Sequence, residues 1–267
     1  AGIMRRLRRL CKLYGSNPQF ILCTATISNP GEHAGRLTGE SFDVIRNDGS
    51  PHGVKDFVFW NPPVIDTTKG IRKSANSEAT LLFTELIKRK IRTIVFARTR
   101  RLTELIYLYS RRRLTEESAL LAGRIKPYRA GYLARDRRKI EQGLFSGELL
   151  GVVATSALEM GINVGDLEAT ILTGYPGSIA STWQQAGRSG RGREASLSIL
   201  IGMDNPLDQY FMNHPDIFFN QEYENVLINP ANKYILSAHL LCAAWEAPLS
   251  DEDEYYFGDT FTTECDE

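Results

Sequence analysis

This sequence predicts an α/β fold, a mostly parallel sheet with helices on both faces. Two observations carry that expectation: short apolar runs of strand length recur along the chain, and segments of helical period separate them. The runs are "QFILCT" (19–24), "TIVFA" (93–97), "LLGVVAT" (149–155), "ATILTG" (169–174) and "SLSILIG" (196–202). The first ends at a polar turn and suits a buried parallel strand. Helical period appears in "SEATLLFTELIKRK" (77–90), "RRLTELIYLYSRRRL" (100–114), "ARDRRKIEQGLFSG" (134–147) and "TWQQAG" (182–187). In a sheet of this kind ligands bind beyond the carboxyl ends of the strands.

The flanks read differently. At the N-terminus Ile3, Met4, Leu7 and Leu10 recur at helical spacing within the basic "AGIMRRLRRLCKLYG". That segment lacks the apolar core and small-residue cleavage site of a targeting peptide. Starting in mid-helix without an initiator Met, the chain reads as cut from something longer. Residues 43–70, rich in Pro, Gly, Asp and Asn, read as loops containing a linker. After Met203 the text turns aromatic and is broken by prolines. Helical spacing then returns at Ile235, Leu236, His239, Leu240 and Ala243.

Composition bounds the class. The 267 residues are 42% hydrophobic, as in an ordinary globular protein. The longest apolar runs fall far short of the roughly 20 residues that a bilayer span requires. Cys11, Cys23, Cys242 and Cys265 lie far apart with no metal-site spacing, which fits a reducing, cytoplasmic setting. Cys23 and Cys242, each in an apolar stretch, read as small buried hydrophobes. The net charge of zero hides an asymmetry: basic residues crowd the stretch from Lys88 to Lys139, and acidic ones dominate after Asp204. A dense basic block within periodic sequence points to a polyanion partner.

Four stretches are expected at strand ends, where such a sheet places its ligands: "TATIS" (24–28), "ARTRR" (97–101), "ATSALEMGINVGD" (154–166) and "QQAGRSGRG" (184–192). Singly each is weak, since hydroxyl-rich turns are usually caps and arginines in glycine-rich loops are usually solvated. In this order they resemble motifs III, IV, V and VI of the superfamily 2 helicases. The wider text, including "FWNPP", "YRAGY", "TGYPGSIASTWQQAGRSGRG" and "LSAHLLCAAWEAPL", is similar to the DEAD/DEAH-box DNA repair helicases of the mitomycin repair factor family, nearly end to end.

The resemblance implies a RecA-like parallel sheet for the helicase C-terminal lobe. Laid on this chain, it makes residues 1–42 the remnant of a first RecA-like lobe, 43–53 a linker, 54–204 the complete second lobe, and 205–267 an incomplete helical or winged-helix-like accessory region. It implies ATP and Mg2+ as cofactors, with the phosphate loop and the magnesium-holding acidic motif expected before residue 1. Neither G-x-x-x-x-G-K-[ST] nor D-E-x-H occurs in the sequence, and no metal-ligating residue is predicted in it. Arg188 and Arg191 match the motif VI arginines that stabilise charge on a transferring phosphoryl group, and Gln184 matches the family's glutamine, expected to position the loop or contact the cleft. Gly187 and Gly190 let that loop approach the nucleotide. Gly161 and Asn163 belong to the cleft side of motif V, although Asn163 stands where many relatives carry Asp. Thr24, Ala25 and Thr26 are the coupling motif. Thr155, Arg98, Arg100, Arg129 and Gly131 are expected along the nucleic-acid track, gripping phosphates. Tyr132 reads equally as track or core.

The implied activity is an ATP-dependent 3′ to 5′ DNA helicase of repair, acting on single-stranded DNA in the cytoplasm, at the nucleoid, with no membrane involvement. Motifs III to VI leave open a duplex translocase or an RNA helicase. The basic block alone would also serve a non-catalytic nucleic-acid-binding module.

Overall fold

The computed structural model describes residues 1–47, 49–50, 53–160, 167–190, 194–258 and 260–266. In chain order its elements are α1 (Gly2–Leu13), α2 (Pro30–Thr38), β1 (Lys55–Trp60), β2 (Val64–Asp66), β3 (Ile71–Arg72), α3 (Ala75–Lys88), β4 (Thr93–Phe96), α4 (Arg100–Glu117), α5 (Ala119–Gly123), β5 (Ile125–Tyr128), α6 (Ala134–Ser146), β6 (Gly151–Ala154), β7 (Ala169–Thr173), α7 (Ile179–Ala186), β8 (Ser196–Ile201), α8 (Pro206–Asn213), α9 (Pro215–Asn220), α10 (Lys233–Glu246), α11 (Glu254–Phe257) and α12 (Phe261–Asp266). They divide into two compact units, one of residues 49–223 and one that joins residues 1–48 to residues 224–267.

The larger unit is built on a six-stranded sheet of order β1-β8-β7-β4-β6-β5, and every pairing in it is parallel. The four central strands are those predicted as apolar runs. Strands covered on both faces need apolar residues at every position, so their signal is continuous. Both edge strands escaped prediction. In β1 exposed and half-buried residues alternate, and β5 carries Pro127, tolerated there because an edge strand leaves backbone donors unpaired. On one face Ala79, Phe83, Ile87, Val95, Ile106, Leu114, Val153 and Ile171 form the main core, and on the other Ile94, Phe96, Tyr128, Leu144, Val152 and Leu158 pack beneath α6. Full burial of such side chains stabilises by roughly 1.5–3 kcal/mol each.

α8 and α9 belong to this unit, so the expected boundary after residue 204 falls inside it. Phe211 and Phe218 pack with Tyr175 and Ile179, and Phe57, Phe59 and Trp183 close the cluster over β1. The buried Asp208 carboxylate accepts from the backbone N–H of Tyr175 (3.1 Å) and of Met203 (2.8 Å), tying α8 to the ends of β7 and β8.

The smaller unit corrects three further expectations. Residues 1–42, expected as a domain separate from residues 205–267, join the C-terminal segment in one unit, in which α1 packs against α2, α10 and α11. "QFILCT" forms no strand: Ile21 is 86% exposed, and no strand among the described residues lies beside it to accept its hydrogen bonds. Cys23 and Cys242 are exposed rather than buried, Cys242 lying on the face of α10 that meets Arg6 of α1, while Leu236, Leu240 and Ala243 pack against Phe257 and Phe261. The buried face of α1 is itself unexpected. Ile3 and Leu7 are exposed, whereas Arg8 and Arg9 are buried. Arg9 donates to Asp253 (2.6 Å) and to the carbonyls of Ala243 (2.9 Å) and Ala247 (3.0 Å), at the carboxyl end of α10. Arg8 pairs with Glu40, donates to the Thr38 carbonyl and lies over the rings of Tyr255 and Tyr256.

Candidate functional site

Parallel pairing sends the carboxyl ends of all six strands to one edge of the larger unit, and the basic candidates gather there. Arg98 follows β4, with Nη1 3.6 Å from the Met203 sulfur. Arg100 opens α4, whose N-terminus is capped by the Thr99 hydroxyl accepting from the Leu102 N–H (3.2 Å). Arg129 and Gly131 lie in the turn after β5. That turn faces the start of α4: Arg100 Nη1 comes within 3.9 Å of the position a Cβ would take on Gly131. Arg129 meets Glu104 at 3.2 Å and stacks on Tyr132, 4.9 Å from the ring centroid. Thr155 follows β6 and caps the short 3-10 turn Ser156–Leu158, its hydroxyl accepting from the Ala157 N–H. Arg98 and Arg100 are exposed and Arg129 is half-buried, so this edge presents cations to solvent.

The stretch from Gln184 to Gly190 lies elsewhere. α7 returns antiparallel to the strands, as the helix of a crossover does, so its carboxyl end reaches the amino ends of β1 and β8 rather than the carboxyl edge. There the loop is fastened at several points. Arg188, buried, donates through Nε (3.1 Å) and Nη2 to the backbone carbonyl of Glu159. Gln185 donates to the Glu159 carboxylate (2.8 Å). Lys55, the first residue of β1, donates to the carbonyls of Ala186 (2.9 Å) and Ser189 (2.8 Å), capping the end of α7, and burial pulls its amine below the ordinary lysine value. The Gly190 N–H bonds the Leu167 carbonyl (3.1 Å). Gly190 has φ +72°, and a Cβ there would lie 2.2 Å from the Ser196 hydroxyl, so the turn admits only glycine. Gly187 is exposed at the end of α7 and donates to the Trp183 carbonyl (2.7 Å), while Gln184 is half-buried on the last turn.

Thr24, Ala25 and Thr26 lie in the smaller unit, in irregular chain between α1 and α2; Thr24 and Ala25 are exposed. Gly161, Asn163 and Arg191 lie outside the described residues. The sequence reading missed four residues that hold the site together: Glu159, Gln185, Lys55 and Glu104. Glu104 was visible as one of few acids in the basic block. Lys55 was hidden with its strand, and Glu159 acts chiefly through its backbone carbonyl, which no side-chain pattern reports.

Among the described residues no group of three or more His, Cys, Asp or Glu side chains could hold a metal ion, and no helix is long and apolar enough to cross a membrane. The donors of Arg188 and Lys55 are engaged by backbone carbonyls, so these side chains frame the loop after α7. Sheet order and site together define a RecA-like helicase C-terminal lobe.

Comparison with known proteins carries this further. Residues 77–193 match the family of the helicase conserved C-terminal domain, and residues 228–267 match the winged helix domain of the ATP-dependent helicase HRQ1. The chain is 46% identical over 255 residues to the ATP-dependent helicase YprA of Bacillus subtilis, covering 96% of this chain and 34% of that protein. It is 38% identical over 272 residues to the ATP-dependent helicase hrq1 of Schizosaccharomyces pombe, covering 100% of this chain and 26% of that one. The crystal structure of the DUF1998 helicase MrfA bound to DNA and AMPPNP superposes with a TM-score of 0.90 at 46% identity, over 97% of this chain and 35% of that one. The chain belongs to the superfamily 2 helicases, in the group that holds YprA and MrfA. It spans about a third or less of the length of these relatives.

Proposed function

We propose that this chain is the arginine-supplying lobe of an ATP-dependent DNA helicase that moves 3′ to 5′ on single-stranded DNA and serves repair in the cytoplasm, at the nucleoid. The observation that carries the reading is the fastening of the Gln184–Gly190 segment to Glu159, Lys55 and Leu167. The residue that follows, Arg191, is assigned as the finger on its match to motif VI. Catalysis of phosphoryl transfer is almost entirely positioning plus electrostatics, so a finger is only as useful as its frame is rigid. Bound ATP supplies the phosphoryl group and Mg2+ neutralises part of its charge. Arg191 stabilises charge that develops on the phosphoryl oxygens, with Arg188 and Gln184 shaping the loop and Arg188 adding its positive field. By their match to motifs V and III, Gly161 and Asn163 are assigned to nucleotide binding and Thr24, Ala25 and Thr26 to coupling. Arg98, Arg100, Arg129, Gly131 and Thr155 hold the strand. DNA is favoured over RNA because MrfA, at 46% identity, is described as bound to DNA.

In the full-length protein, Arg191→Ala is expected to slow DNA-stimulated ATP turnover by roughly a thousandfold, the effect of known arginine fingers, while nucleotide affinity stays near wild type. Steady-state hydrolysis beside a nucleotide titration checks this. Wild-type turnover in the variant would remove the finger assignment. The 267-residue chain, which contains no phosphate-loop motif, is expected to show no DNA-stimulated hydrolysis.

A further inference from the structure

We infer that Glu104 is a positioning residue for nucleic-acid binding, holding Arg129 and Tyr132 as one presented unit at the carboxyl edge of the sheet. The inference rests on the proposed track reading. One carboxylate oxygen, Glu104 Oε1, takes both partners: the Tyr132 hydroxyl donates to it at 2.8 Å, and Arg129 Nε lies 3.2 Å away. The Arg129 contact is an ion pair whose angle does not make a hydrogen bond. The Arg129 guanidinium also lies over the Tyr132 ring, and the Tyr132 N–H bonds the Arg129 carbonyl at 3.1 Å. Ion pair, ring and turn thus fix the Arg129 side chain, which remains 36% exposed. Burial and the bond to Glu104 raise the Tyr132 phenol above its ordinary value, as a hydroxyl held by a carboxylate requires. Arg100, one helical turn before Glu104, approaches the same turn at Gly131. A lone carboxylate among cations that await phosphates is unfavourable for binding by charge alone. Its geometry gives it another task, which is to remove the rotamer freedom Arg129 would otherwise lose on binding.

The two effects have opposite signs, and that makes the test. Removing a nearby negative charge should tighten polyanion binding, whereas removing a positioning residue should weaken it. With the 267-residue chain and a fluorescently labelled single-stranded oligothymidine, Glu104→Ala is expected to weaken binding about fivefold, the upper range for an exposed ion pair. Glu104→Gln, which still accepts from Tyr132 but loses the ion pair with Arg129, should bind more weakly than wild type and more tightly than Glu104→Ala. Tyr132→Phe keeps the stack but loses the bond, and should weaken binding about twofold. Arg129→Ala should weaken binding and lower the salt slope by about one. The double variant Glu104→Ala/Arg129→Ala should be no weaker than Arg129→Ala alone, because the carboxylate acts through the arginine. Unfolding midpoints measured on each variant separate a fold defect from a binding defect. Unchanged or tighter binding by Glu104→Ala, or additive losses in the double variant, overturns the inference and leaves the track intact. An Arg129→Ala variant that binds like wild type removes the track reading and the inference together.

Discussion

The chain carries two clusters of arginines that look alike in sequence and do opposite things. In the smaller unit Arg5, Arg6, Arg8 and Arg9 of α1 all turn to acceptors within that unit: the Phe257 carbonyl, Glu246, Glu40 and Asp253. In the larger unit Arg98 and Arg100 point to solvent from the carboxyl edge of a parallel sheet, with Arg129 beside them held half-open. Charge density therefore does not identify a polyanion site. What separates the clusters is the supply of acceptors. The Thr38 carbonyl at the end of α2 and the Ala247 carbonyl after α10 accept from arginines of α1. The carboxyl edge of the sheet instead holds helix N-termini such as that of α4, whose free backbone groups are donors.

The largest expected difference between the clusters is in stability. Arg9→Ala would leave the buried Asp253 carboxylate without its charge partner and the Ala247 carbonyl without the Arg9 donor, and losing one partner of a buried ion pair costs about 3–5 kcal/mol. Urea unfolding should show this as a loss of the smaller unit's transition, whereas Arg98→Ala and Arg100→Ala should leave both units' transitions in place. Equal, negligible effects would show that α1 is not held as described.

A smaller but more local effect is expected at Gly190. Alanine there meets both the positive φ and the Ser196 hydroxyl, a combined strain and overpacking of about 1–3 kcal/mol. The loop must shift to relieve it, so Gly190→Ala in the full-length protein should impair ATP turnover more than it lowers the unfolding midpoint. A variant with lowered midpoint and intact turnover would separate Gly190 from the finger's frame. Pairing it with Ser196→Ala, which opens the space but keeps the backbone strain, divides the two causes.

The comparison of units also explains what the sequence could disclose. Strands β4, β6, β7 and β8 were legible because burial on both faces writes a continuous apolar run. α4 and α6 were legible because each keeps an unbroken helical period. The edge strands were not, since Lys55–Trp60 alternates like a loop with aromatics and Pro127 interrupts "IKPY". In the smaller unit the helices α1 and α10 were legible from their spacing, whereas the strand expected at "QFILCT" and the way the two ends of the chain join were not. Its core joins segments about 200 residues apart, through side-chain bonds such as Arg9 to Asp253 and the Asn29 carboxamide accepting from the Val226 N–H (3.0 Å), which leave no local period. At the site, motif spacing pointed to Arg188 as a finger, and its bond to the Glu159 carbonyl shows the other role a buried arginine can take.

The smallest effect on folding belongs to the exposed arginines, and there the contrast can be sharpened. Arg98→Glu and Arg100→Glu should leave the unfolding midpoint of the larger unit essentially unmoved, because both side chains are exposed and the Arg98 contact is a weak one, to the Met203 sulfur. Their consequence should lie in the salt dependence of single-strand binding. Removing one cation from a phosphate lowers the slope of log K against log salt by about one, and the weakening is uniform across sequences because phosphates carry no base identity. Arg6→Glu is the matched control on α1. It reverses the same charge but breaks a pair with Glu246, so it should lower the smaller unit's stability while leaving that slope near wild type. Binding titrations at several salt concentrations on oligothymidine and on a mixed-sequence strand read both terms at once. If Arg6→Glu lowered the slope as much as Arg100→Glu, both clusters would face the polyanion. Burial of the α1 arginines would then have to be read as a state that nucleic acid can open.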